Sequence, residues 1–174
     1  MAKETVEEYV ARILASVEGK DPLSILRSTP RVLRDLVQNV QFDRLTLRPD
    51  ADKWSAGEIL AHLAEAEIVF GYRTRFVLGS SGSVIQAFDQ DVWAKNSHYE
   101  RLDPLKSLEV FTQLRQFNVA FFEVLPPEML EYYGIHQERG KETVEKMLRL
   151  IAGHDLNHIH QVQNILTLRT SFTG

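Results

Sequence analysis

There is no cysteine among the 174 residues. That excludes a thiol nucleophile, a cysteine-ligated zinc, an iron–sulfur cluster and any disulfide framework, so metal chemistry here must rest on His, Asp and Glu. Nor is there a block of Lys and Arg. Twenty basic residues face 24 acidic ones, for a formal net charge of −4, so the basic footprint of a nucleic-acid binder is missing. No apolar run approaches the roughly 18 residues that a membrane span needs. The opening Met1-Ala2-Lys3-Glu4-Thr5 leads into charge without an apolar signal core. The expectation is a cytoplasmic protein that meets a small molecule rather than nucleic acid or membrane. Nine Gly and six Pro leave no low-complexity tract. What remains is ordinary globular usage, and a chain of this size buries roughly 70% of its unfolded surface, enough for a single domain over residues 1–174.

The punctuation predicts helices and no convincing strand. Thr5-Val6-Glu7-Glu8 has capping-box spacing, and Val6, Val10, Ile13 and Val17 follow at helical intervals, which gives a short first helix to about Gly19. Asp21-Pro22 reads as an N-cap with proline at the first helical position, and Pro30 should kink or restart the helix that follows. Ser55-Ala56-Gly57-Glu58 is a second capping box, opening a helix with Ile59, Leu63, Ala66, Phe70 and Val77 on one stripe and an end near Gly79. Residues 79–103 lack clean periodicity and are read as a long crossover loop between distant helices. Asp103-Pro104 starts another helix, stopped by Pro126-Pro127, and a last one runs from about Glu142 to Arg169. The fold class is all-α: a four-helix bundle with non-sequential packing, a short extra N-terminal helix and the long crossover loop.

The last helix carries the chemistry. Met147, Ile151, His154, His158, Gln161, Ile165 and Leu168 alternate spacings of four and three, the seam that faces a bundle interior. His154 and His158 differ by about 40° around the axis and stand one turn apart, so both imidazoles can point at one spot. Buried rings need hydrogen-bond partners or a metal, and a divalent cation satisfies both at once. Three protein ligands and an open position make a site of catalytic type. His62, beside Leu63 at the edge of its helix's inward stripe, is the third candidate. His98 and His136 fall in loops, and His160 points elsewhere. The metal set is therefore His62, His154 and His158. Asp155 and Asn157 are expected to cap or solvate, and Glu58 is already used by the cap.

Two other metal readings are disfavoured. His154-Asp155-Leu156-Asn157-His158 differs from the zincin H-E-x-x-H by an Asp that retracts the base by one methylene. A ferritin-like di-iron centre needs paired Glu-x-x-His motifs, and no Glu precedes a His by three.

Trp54-Ser55-Ala56-Gly57-Glu58-Ile59-Leu60-Ala61-His62-Leu63-Ala64, followed by Ile151-Ala152-Gly153-His154-Asp155-Leu156-Asn157-His158-Ile159-His160-Gln161, resembles the DinB-like superfamily, including its YfiT-like metal-dependent hydrolases. Arg115 with Asn118, and His136-Gln137-Glu138-Arg139-Gly140, are similar to that family as well. The resemblance implies a four-helix bundle in which His62, His154 and His158 hold one divalent metal ion, commonly zinc or nickel, often in a homodimer. It also implies hydrolase activity, or transfer chemistry that uses an exogenous low-molecular-weight thiol.

One device serves either reaction: a cation with an open position lowers the pKa of a bound water or thiol. The residues that would act as acid or base are not identified by the sequence. Arg115 and Asn118 interrupt the seam of Leu108, Phe111, Phe122 and Leu125. They either hold an anionic substrate group or, for Arg115, neutralise a bundle carboxylate. Gln161 continues the histidine line and either bonds a bound group or pairs with another polar residue. Asp89, Trp93 and Asn96 would line the mouth. The alternative from another class is a non-enzymatic bundle with a structural or sensing metal site.

Overall fold

The computed structural model describes residues 4–167, so Leu168 and the expected helix end at Arg169 lie outside the described residues. The elements are α1 (Val6–Ala15), α2 (Pro22–Val37), α3 (Phe42–Thr46), α4 (Ala56–Gly79), β1 (Val84–Ile85), α5 (Gln90–Asn96), α6 (Pro104–Glu123), β2 (Tyr133–His136), β3 (Gly140–Thr143) and α7 (Val144–Thr167). Single 3-10 turns precede and follow α6, at Tyr99–Arg101 and Pro127–Glu131. The helix starts are those the caps announce. Thr5 with Glu8 and Ser55 with Glu58 form complete capping boxes, and Asp21, Asp89 and Asp103 accept backbone N–H groups of the turns they open.

Five expectations need correction, the last of them the crossover described below. α2 is continuous through Pro30. The proline has no N–H to give the Leu26 carbonyl, and Arg115 Nη1 of α6 donates to that carbonyl instead, at 3.2 Å. α1 stops at Ala15, and Gly19, at φ +68°, closes the turn that follows. α7 begins at Val144 because residues 140–143 belong to a strand. That strand is part of a three-stranded sheet ordered β1-β2-β3, with β1 parallel and β3 antiparallel to β2. Strands of two to four residues are too short to write an alternating pattern, which is why the sequence reads as helix and loop alone.

The bundle is made of α2, α4, α6 and α7, with α2 and α4, and likewise α6 and α7, on its diagonals. α4 and α6 lie side by side and parallel. Glu67 meets Arg115 and Arg75 meets Phe121, and a Cβ at Gly57 would stand 2.8 Å from Pro104 Cγ. The connection between them is thus a crossover along the bundle, not between distant helices, and it carries β1, α5 and a 3-10 turn. No helix among the described residues is long and apolar enough to cross a membrane.

The core is split. One apolar cluster joins Leu26, Phe70, Val77, Phe122 and Val144 to Ala152, and another joins Leu33, Ile59, Leu63, Phe111, Val162 and Ile165. Between them in each long helix falls a buried polar residue or a proline: Pro30, Glu67, Arg115 and Asp155. The guanidinium of Arg115 bonds all three other bundle helices, through the Leu26 carbonyl, Glu67 at 2.7 Å and Asp155 at 2.9 Å. Asn118 completes the layer by donating to Glu67 Oε2 at 3.0 Å.

Candidate metal centre

Antiparallel packing of α4 on α7 sets His62 opposite the adjacent turns that carry His154 and His158. The ligand atoms of the three rings all lie within 4.8 Å of one another. His154 Nε2 is 3.0 Å from His62 Nε2 and 3.1 Å from His158 Nε2. His62 and His158 are buried, while His154 is half-buried and forms the open side.

These distances are a chemical problem for metal-free rings. An imidazole nitrogen carries in its plane either one hydrogen or one lone pair. His154 Nε2 can therefore satisfy one neighbour and must oppose the other. Three lone pairs turned toward one cation remove the conflict. Tetrahedral ligands at zinc–nitrogen lengths stand about 3.3 Å apart, close to the spacing seen, so the donor set fits a divalent ion. Protonation does not offer another escape. Burial, with the neighbouring His158 charge, pushes His62 down to about 3, and burial pushes His158 down to about 4 against a smaller opposing contribution from the Gln161 side chain. His154 is held well below its ordinary value by burial and by the charges of His158, His62, Arg115 and Arg139. At neutral pH all three rings are uncharged, with no proton to displace before a metal binds. Nδ1 of His154 is buried without a partner, so that ring lacks the outer acceptor that commonly orients a metal-bound histidine, whereas the Gln161 side chain stands beside the His158 ring.

Around this cluster the structure distributes the other sequence candidates. Arg115 faces the Glu67 and Asp155 carboxylates, both fully buried, and Asn118 faces Glu67 and Arg75. Gln161 is exposed at the edge of the seam, not inside it. Asp155 does not solvate or cap: it is fully buried and paired with Arg115. It stands about 100° from His154, on the flank with Ile151 and Val162, and a stripe broader than the narrow seam would have included it. His136 is not in a loop but at the end of β2, and it is buried. Glu65, one turn beyond His62, accepts the Tyr99 hydroxyl at 2.5 Å.

Trp54 packs on His62 with ring centroids 5.0 Å apart and also lines a cleft of about 460 Å³ with Arg48, His98 and Glu100. From α5 the cleft receives Asp91, Ala94 and Lys95. Of the expected mouth residues, Asp89 instead caps α5 and Trp93 packs on Phe88.

The sequence profile of the DinB superfamily matches residues 25–162, a span that holds all three histidines. The chain belongs to the DinB superfamily. YfiT of Bacillus subtilis, described as a "putative metal-dependent hydrolase", is 23% identical over 163 residues, covering 92% of this chain and 91% of its own. A relative from Oceanobacillus iheyensis described in the same words is 21% identical over 141 residues, 80% of this chain and 81% of its own. The solved structure of Bacillus subtilis YfiT, reported as having an unusual four-helix bundle topology, superposes with a TM-score of 0.79 at 18% identity, covering 99% of this chain and 93% of that one. The four-helix bundle is thus shared with that structure.

Proposed function

We propose that this member of the DinB superfamily is a metal-dependent hydrolase of a small molecule, with one zinc or nickel ion held by His62, His154 and His158. The observation that carries the reading is the position of His154 Nε2, about 3 Å from two other ring nitrogens in a largely buried setting, which a shared cation reconciles. A divalent cation bound there supplies Lewis acidity and lowers the pKa of a ligand water. The chain's own residues supply the rest. The three neutral imidazoles leave the ion its full charge, and Trp54 walls the His62 side from the neighbouring cleft. Half-exposed His154 marks the side from which substrate enters. Arg115 and Asn118 act at one remove: by fixing Glu67 and Asp155 they hold the rotation of α4 and α7 that aims the rings.

The active assembly in this proposal is a homodimer. Ile68, Tyr72 and Phe76 on the outer side of α4, and Val110, Phe117 and Val124 on that of α6, are exposed. Arg75 bridges the two rows, 5.0 Å from the Phe117 ring centroid. Exposed apolar rows of this kind mark interaction surfaces.

The test pairs metal analysis of untagged protein with an ester and amide hydrolysis screen, each run on the parent and on His154→Ala. Metal at one ion per chain in the parent, lost with turnover in the variant, is the expected result. Equal metal in both removes the ligand assignment. Turnover that strictly requires an added low-molecular-weight thiol replaces hydrolysis by thiol transfer.

A further inference from the structure

A second polar cluster lies between the sheet and α4, and the site described above uses none of it. In the β2–β3 pairing, Gly134 stands opposite Glu142 and His136 opposite Gly140. Directly opposed residues point to one side and positions two apart share it, so His136 and Glu142 project from the same face of the sheet. The two glycines leave that face to them. Gly134 rests against Val77 of α4, and Arg73, one turn earlier on α4, reaches the same region, donating to the Gln86 carbonyl and lying over the Phe88 ring.

The cluster is short of negative charge and has a donor to spare. Arg139 is bonded by Glu142, with Nε to Oε1 at 2.6 Å and Nη2 to Oε2 at 3.0 Å, and Glu142 is buried. Arg73 forms no ion pair among the described residues. Its guanidinium is half-buried, and burial together with the Arg139 charge pushes it down to about 10. Lys146 adds a further positive charge, and the remaining acid, Glu138, is exposed. His136 Nδ1 accepts the Glu138 backbone N–H at 3.2 Å, which places the ring hydrogen on Nε2. Nε2 is buried and has no partner. A buried N–H left unpaired is costly, and two guanidiniums beside one buried carboxylate, which pairs with Arg139, leave one positive charge over. Arg139 lies within electrostatic reach of both the His136 and the His154 rings.

We propose that Arg73, Arg139 and the Nε2–H of His136 form an oxyanion-binding subsite that receives a carboxylate or phosphate group of the substrate. Binding of the anion follows from these residues alone; that the anion belongs to the molecule hydrolysed rests on the proposed function.

The test is a titration of isotopically labelled full-length chain, metal-stripped and zinc-loaded, with sodium phosphate and separately with sodium acetate, read at the histidine ring nitrogens by NMR. The expected result is movement of the His136 Nε2–H resonance in both forms, with the stronger anion naming the substrate class. In Arg73→Gln the affinity falls about tenfold, the loss of one charge-assisted hydrogen bond, while metal content is unchanged. Shifts confined to His62, His154 and His158 and seen only with zinc overturn the subsite and leave the metal reading standing. An Arg73→Gln titration equal to the parent's also overturns it. Should that variant not fold, the metal-stripped parent decides alone, since a stationary His136 resonance there overturns the proposal.

Discussion

Arg115 and Asp155 join the diagonal helices α6 and α7 through the middle of the bundle, Nη2 to Oδ1 at 2.9 Å, with both side chains out of solvent. Asp155 is the residue after His154, so this pair also sets how far α7 can turn about its axis. Removing one member strands the others. Arg115→Met leaves Glu67 and Asp155 as uncompensated buried carboxylates, and the expected loss is about 3–5 kcal/mol. Urea unfolding of parent and variant measures it. A difference below about 1 kcal/mol would show that water or rearrangement relieves those charges.

Metal should stabilise the fold in proportion to its affinity, because the three histidines converge only in the native chain. At a free metal concentration about 100 times the dissociation constant, the gain is about 2.7 kcal/mol. Thermal melts of stripped protein with increasing zinc should rise accordingly, and those of His62→Ala should rise less. A variant that responds as the parent does would show that the stabilising metal sits elsewhere.

Acid should unfold the metal-free chain from near neutrality. His136 and His158 titrate at about 4 in the folded chain and His62 at about 3, against an ordinary value of 6.5, chiefly because burial penalises the charged ring. Between 6.5 and these values the unfolded chain binds more protons than the folded one. Stability is therefore complete above about 6.5 and declines as pH falls toward 4. For His136 alone the integrated loss is on the order of 3 kcal/mol, and His136→Gln should flatten that part of the profile. A urea midpoint that stays constant through this window would contradict the burial of these rings.

What could be read before folding was what single side chains write locally. The caps at Thr5, Asp21, Ser55 and Asp103 are complete within four residues, so the helix starts were legible. The His154–His158 pair was legible because it replaces apolar residues in a seam. His62 required a choice among the remaining histidines, and the packing of α4 on α7 brings it to the other two. The polar layer was legible only in part. Arg115 reads as an interruption of an apolar seam that can neutralise a bundle carboxylate, but Glu67 and Asp155 each read alone as solvated positions, and only their convergence on Arg115 turns them inward. That α2 does not restart at Pro30 was hidden for the same reason, since the proline's tolerance depends on a donor from α6.

The exposed α4–α6 face makes a prediction about assembly. Phe117 is 67% exposed and Tyr72 64%. A positive charge at Phe117, beside Arg75, cannot be buried unpaired without a cost that outweighs an interface of moderate size. Phe117→Lys should move the chain from dimer to monomer in sedimentation at micromolar concentration, with its melting temperature little changed because the side chain is already in water. A parent that sediments as a monomer would end the dimer proposal.

Gly153 tests whether α1 belongs to the working site. A Cβ there would stand 2.4 Å from the Ile13 carbonyl oxygen and 2.7 Å from its Cγ2, so α1 is seated directly on the turn that precedes His154. α1 is further tied down by Arg12, which donates to Asn157 Oδ1 at 2.9 Å, again one turn of α7 away. Gly153→Ala raises helix propensity in α7 by about 1 kcal/mol, so an isolated helix would gain. Here the backbone of α1 cannot yield by the tenths of an ångström that a flexible side chain could, and α1 must lift. The expected outcome is a less stable chain with faster amide exchange in residues 6–15 and weaker zinc binding, because the turn that carries His154 loses its backing. Zinc affinity equal to the parent's, with α1 exchange raised, would show that α1 covers the histidine helix without helping to hold it in place.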